Sequence, residues 1–187
     1  MNPGNQSGSL VLGGYEPERG NRSFVVSNVF GIDKVHFDIT NSENRLAMDL
    51  SMVFATRAAN DSMEVQALLG ATLEAAINTT DSFILFPPEI CDRFVDLFNL
   101  TYDARTNLYL VDQSSRLIQE ESTNITFVLG NSSHPGDEVR IVLPYSSFIF
   151  EAGTPWYDKP TAYFSIRPTE DDSGSTVILG RTFLQEA

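Results

Sequence analysis

The sequence predicts an all-β protein: closed or sandwiched antiparallel sheets with one or two short helices. Three observations carry this. Apolar residues recur at alternate positions in short runs. Clusters of Asn, Asp, Ser, Gly and Pro separate those runs. A helical stripe is convincing in one stretch only, and short strands at this spacing suit a sandwich or barrel.

Ser9-Leu10-Val11-Leu12 reads as a strand ended by a turn at Gly13-Gly14. From Val35 to Thr40, Val35, Phe37 and Ile39 alternate with His36, Asp38 and Thr40, the pattern of a half-buried strand. Residues 45–54 are apolar but fit helix and strand equally. Ala76-Ile77 closes a buried strand, Asn78 to Ser82 forms a tight polar turn, and Phe83 to Phe86 is a second apolar run. Pro87-Pro88-Glu89 then starts a helix, with proline fixing φ and the carboxylate facing the positive end of the dipole. Ile90, Phe94, Leu97 and Phe98 make its apolar stripe, Cys91 lies one step round from it, and the helix stops near Asn99. Further strands are expected at 107–111, 125–129, 138–143, 162–166 and 176–179, separated by polar clusters at 103–107, 130–137 and 171–174. No internal repeat, low-complexity tract or linker divides the 187 residues, so a single domain is expected.

Charge and composition exclude several functions. A net charge of −13 repels nucleic-acid phosphates and anionic lipid, so neither is an expected partner. A surplus of carboxylates suits work in acid. No apolar run is long enough to span a bilayer. The first residues lack the basic and apolar regions of a signal peptide. Yet Asn-X-Ser/Thr triplets stand at Asn5, Asn21, Asn60, Asn78, Asn99, Asn124 and Asn131. That is more than the roughly one or two average composition gives, and it argues for passage through a secretory pathway. The alternative is a chain merely rich in Asn, Ser and Thr. The single cysteine, Cys91, is either a small buried hydrophobe or an unpaired thiol. His36 and His134 lie at no ligand spacing from a second His or a Cys, so no metal and no cofactor are expected. No nucleophile elbow or phosphate loop occurs. Tyr145, Phe148, Trp156 and Tyr157 read as core or rim more readily than as a binding groove.

Several motifs, in one order, resemble the pepsin-like aspartic peptidases (peptidase A1), of the secreted fungal type. Gly8 to Tyr15, GSLVLGGY, is similar to the family segment just after the crossing between lobes. Asn78-Thr79-Thr80 stands where the second lobe carries Asp-Ser/Thr-Thr/Gly, and Phe86 to Cys91 resembles the Leu-Pro segment that follows. Residues 98–103 and 108–111 are similar to the next hairpin, 125–131 and 141–145 continue it, and Val177 to Leu184 resembles the apolar-apolar-Gly motif beside the catalytic loop. Residues 24–70 resemble the family least.

The resemblance implies a C-terminal-type pepsin lobe over 1–187, with the N-terminal lobe and last strands absent. It implies that Asn78 holds the position of the reacting carboxylate: the family's proline follows that position by nine, and Pro87 lies nine after Asn78 but six after Asp81. Thr79 and Thr80 complete the loop, and Ile77, Leu179 and Gly180 support it. The family hydrolyses peptide bonds with two carboxylates sharing one proton, one from each lobe. Asn hydrogen-bonds as Asp does but cannot exchange that proton, so the chain is expected to be inactive as it stands. The family also implies secretion as part of a full-length parent, a later cysteine as partner of Cys91, and a peptide or protein ligand. A lobe normally packed on another would self-associate or await it. Three readings stay open: an inactive peptidase lobe, a pseudopeptidase lobe that binds peptide or protein, and a secreted glycosylated β-sandwich of another kind.

Overall fold

The computed structural model describes residues 47–59, 62–112, 123–130, 138–170 and 176–185. The expected strands at 9–12 and 35–40, both histidines, Asn5, Asn21, Asn60 and Asn131 lie outside the described residues.

Twelve strands and two α-helices are described: β1 (Ala47–Ala59), β2 (Ser62–Leu69), β3 (Leu73–Ile77), β4 (Ile84–Phe86), α1 (Pro88–Phe98), β5 (Thr101–Asp103), β6 (Leu108–Leu110), β7 (Thr123–Gly130), β8 (Val139–Pro144), β9 (Ile149–Ala152), β10 (Thr161–Phe164), β11 (Ile166–Pro168), β12 (Thr176–Leu179) and α2 (Arg181–Leu184). A 3-10 turn, Tyr145–Phe148, joins β8 to β9. The larger sheet runs β11-β4-β12-β3-β1-β7-β8, with β2 also paired to β1; the smaller runs β5-β6-β10-β9. Most pairs are antiparallel as expected, but β12 lies parallel to β3 and β11 parallel to β4.

The long strand β1 pairs with β3 through its first half, with β2 through its second, and with β7 along its other edge. Its inward residues change parity: Met48 and Leu50 are buried, then Val53 and Ala55, while Met52 faces solvent. The shift coincides with an irregular register against β7 between Leu50 and Met52, as a bulge produces.

Helix α1 begins with Pro88, has Pro87 as N-cap, and ends at Asn99 in the left-handed conformation. Ile90, Cys91, Phe94 and Phe98 are buried, so Cys91 joins the stripe and Leu97 sits at its half-buried edge. This face closes an aromatic core. Phe94 packs on Phe86 at 5.3 Å between centroids, Phe98 on Tyr145 at 5.1 Å, and Phe148 on Phe164 at 5.0 Å. Each such ring removes 150–250 Å² from water. Tyr145 and Phe148 are thus core residues, Tyr157 is half-buried and Trp156 is exposed. No helix among the described residues is long and apolar enough to cross a membrane.

Candidate functional site

The site grows from the topology of the larger sheet. β3 and β4 are consecutive in sequence, yet β12 lies between them. Their connection, residues 78–83, therefore passes over the end of β12. Ile77 pairs with Leu179, and Ile84 pairs with Leu179 from the other side. Leu179 is buried and Ile77 half-buried.

Asn78 opens the connection. Its N–H donates to the Leu179 carbonyl at 3.1 Å. Its side-chain Oδ1 accepts from the Thr80 N–H at 3.0 Å and from the Thr80 hydroxyl at 2.7 Å. Both partners are donors, so the amide oxygen, not the nitrogen, faces them. Asn78 is half-buried, and Thr79 and Thr80 are exposed. Asp81 turns away from this arrangement: its Oδ1 accepts the Phe83 N–H at 2.9 Å, a local turn contact.

The far wall is the start of α2. The Arg181 N–H donates to the Asp81 carbonyl at 2.9 Å, and the Arg181 guanidinium reaches the Ser82 hydroxyl. The Thr182 hydroxyl donates to the Ser82 carbonyl at 2.6 Å and lies 2.6 Å from the Ser165 hydroxyl, so its single proton and its lone pairs are both used. Gly180 is required by proximity: a Cβ there would lie 2.1 Å from the Phe83 carbonyl oxygen. The result is a short loop clamped at both ends against β12 and α2, with the Asn78 amide where the chain leaves β3.

A family model described as "Eukaryotic aspartyl protease" matches residues 1–187. The chain belongs to the eukaryotic aspartyl protease family. Among solved structures, this pepsin-like chain is similar to the aspartic proteinase from Irpex lacteus, with a TM-score of 0.50 and 13% identity over 78% of this chain and 44% of that one. At that identity the likeness shows the fold alone. The chain thus spans less than half of that relative. No curated relative matches it.

Other expected site residues scatter. Asn99 and Asn124 are exposed, on the end of α1 and on β7. Cys91 is buried, with its thiol 3.7 Å from the Phe86 carbonyl, and burial pushes its pKa up to about 12. Its packing is that of a small core hydrophobe. Among the described residues no group of three His, Cys, Asp or Glu is placed to hold a metal ion. Sequence reading passed over Ser82, Ser165 and Thr182, which lock the loop. The available signal was Thr182, a polar residue inside the apolar Leu179-to-Leu184 motif.

Proposed function

We propose that this aspartyl protease homologue is a single C-terminal-type lobe that carries Asn78 in place of the reacting carboxylate and does not hydrolyse peptide bonds as it stands. The observation that carries the reading is the Asn78 amide oxygen, held by two Thr80 donors at the end of β3. A carboxylate would accept the same bonds, so the loop tolerates either residue. The chemistry does not. One member of a carboxylate pair takes a proton from water while the other, neutral, protonates the carbonyl. Asn supplies neither, and loss of a general acid or base costs about 10²–10⁴-fold in rate. The other carboxylate would come from an N-terminal-type lobe, a natural partner for this one.

The test is cleavage of a denatured protein from about pH 2 to 7, the range over which carboxylates titrate. No fragments should form. Pepstatin-sensitive fragments from the unaltered chain would refute the reading and direct suspicion to Asp81.

A second reading follows from the state of the loop. It is hydrogen-bonded at both ends, with Thr79 and Thr80 exposed. Such a surface can still hold an extended peptide without cutting it, which would make the lobe a pseudopeptidase. Titration of labelled peptides at acidic and neutral pH tests this. The repeated Asn-X-Ser/Thr triplets support secretion of the parent protein, and intact-mass measurement after expression in a secretory host tests that.

A further inference from the structure

We propose that Arg167 forms a subsite for an acidic side chain of a bound peptide, beside the Asn78 loop. This rests on the peptide-binding reading and names the ligand chemistry it would select.

Arg167 lies on β11, paired with Leu85 of β4. Its guanidinium carbon sits 3.7 Å from the centroid of the Phe83 ring. Its Nε–H donates to the Asn107 carbonyl at 3.1 Å. The ring below and the carbonyl at one edge thus fix the plane of the group. Tyr163 backs Phe83 at 5.9 Å, and Phe150 backs Tyr163 at 6.0 Å, so the platform is three rings wide.

Among the described residues, four other arginines spend their end groups on the protein, and Arg140 is exposed on β8 with no ring beneath it. Arg57 and Arg105 face Glu64 and Asp103, Arg93 bonds the Leu68 carbonyl, and Arg181 bonds Ser82. Among the described residues, Nη1 and Nη2 of Arg167 make no hydrogen bond and no ion pair, although Glu170 is only three residues on. With Nε engaged, the edge formed by the two terminal nitrogens remains. That edge matches a carboxylate in two parallel bonds, and the aromatic platform strengthens it by reducing its contact with water.

The location ties this edge to the 78–83 loop. Asn78 meets the Leu179 carbonyl, and the Phe83 carbonyl presses on Gly180, the next residue. Both ends of the loop therefore converge on a single peptide unit. Arg167 stacks on Phe83, the last residue of the loop that Asn78 opens, so a peptide running along the loop from Asn78 toward Phe83 would bring a side chain toward it. The chain's net charge of −13 disfavours acidic ligands at long range, but salt at 0.15 M screens that over about 8 Å. A preference for acid would therefore report a local contact.

The experiment compares the folded chain's binding to a positional-scanning peptide library at neutral pH and 0.15 M salt, with Glu, Asp, Gln or Ala fixed at each position in turn. At one position Glu or Asp should bind about ten-fold tighter than Gln, the usual scale of a charge-assisted hydrogen bond. Arg167→Gln should erase that preference and leave the Gln peptides unchanged. Arg167→Lys, which keeps the charge but not the fork, should retain only a small part of it, and it serves as well if Arg167→Gln does not fold. The preference should also fade as pH falls through about 4.3, where Glu becomes neutral. Peptides that bind with no acid preference, or a preference that survives both variants, would overturn the subsite and leave the peptide-binding reading standing. Failure of every peptide to bind would remove both.

Discussion

Asn78 and Gly180 show how much a single position can fix. Both were picked out of the sequence by resemblance to family motifs, and the structure gives each a contact: Asn78 Oδ1 holds Thr80, and Gly180 lies against the Phe83 carbonyl. Arg167 and Ser165 were not legible, because their roles depend on which strands become neighbours. Gly180→Ala puts a methyl 2.1 Å from the Phe83 oxygen, closer than any real contact, so the loop must move. Overpacking of this kind costs about 1–3 kcal/mol, and at this chain length each kcal/mol lowers the melting temperature by about 2–4 °C. A calorimetric scan of the variant checks it. Asn78→Asp should behave oppositely, melting within about 1 kcal/mol of the parent because the Thr80 donors are kept. It should still be inactive as a monomer, since one carboxylate cannot act as both acid and base. Asn78 should carry no glycan despite its triplet, because its half-buried amide is clamped by Thr80; peptide mapping of secreted protein would reveal sugar there.

The second level is the element. Helix α1 was readable to within a residue, since proline start, apolar stripe and Asn stop all agree. The start of β1 was ambiguous for a concrete reason. Its apolar residues are spaced by two, then by three across the bulge at Leu50–Met52, so neither period fits throughout. Strand β2 was missed although Met63, Val65 and Ala67 alternate, because most of it faces solvent and lacks a buried stripe. Two predictions belong here. On α1, Cys91 should resist thiol reagents at pH 8 in the folded protein and react only on unfolding, as a buried thiol pushed up to about 12 must. At the end of β5, Asp103 accepts from Tyr157 at 2.6 Å and from Thr106 at 3.0 Å. The Tyr157 bond, ahead of the others, lowers its pKa. A lowered carboxylate stabilises the fold above its unfolded value of about 3.9 and loses that contribution as pH falls through the folded one. Asp103→Asn should therefore flatten the acid limb of a melting-temperature profile and leave its shape at neutral pH unchanged.

For the whole molecule, the fold class was legible from alternation and turns, while the strand order was not. No local signal says that β12 will lie parallel to β3, since that pairing joins segments roughly a hundred residues apart. The same scale governs a test of the proposed carboxylate pair. Two copies of Asn78→Asp that met face to face would unite two carboxylates. Ultracentrifugation paired with a casein assay near pH 4 should then show weak, pepstatin-sensitive cleavage that rises with the square of protein concentration. Cleavage linear in concentration would mean that a monomer acts, and the argument from a carboxylate pair would fail.

The position of β12 between β3 and β4 also sets the order of events during synthesis. At about 5–20 residues per second, β3 and β4 leave the ribosome several seconds before the segment that separates them. Until it arrives, the two strands have no fixed spacing and the 78–83 loop has nothing to arch over. The Asn78 loop therefore matures late, and a ribosome stalled before residue 176 holds a chain whose loop a protease can cut.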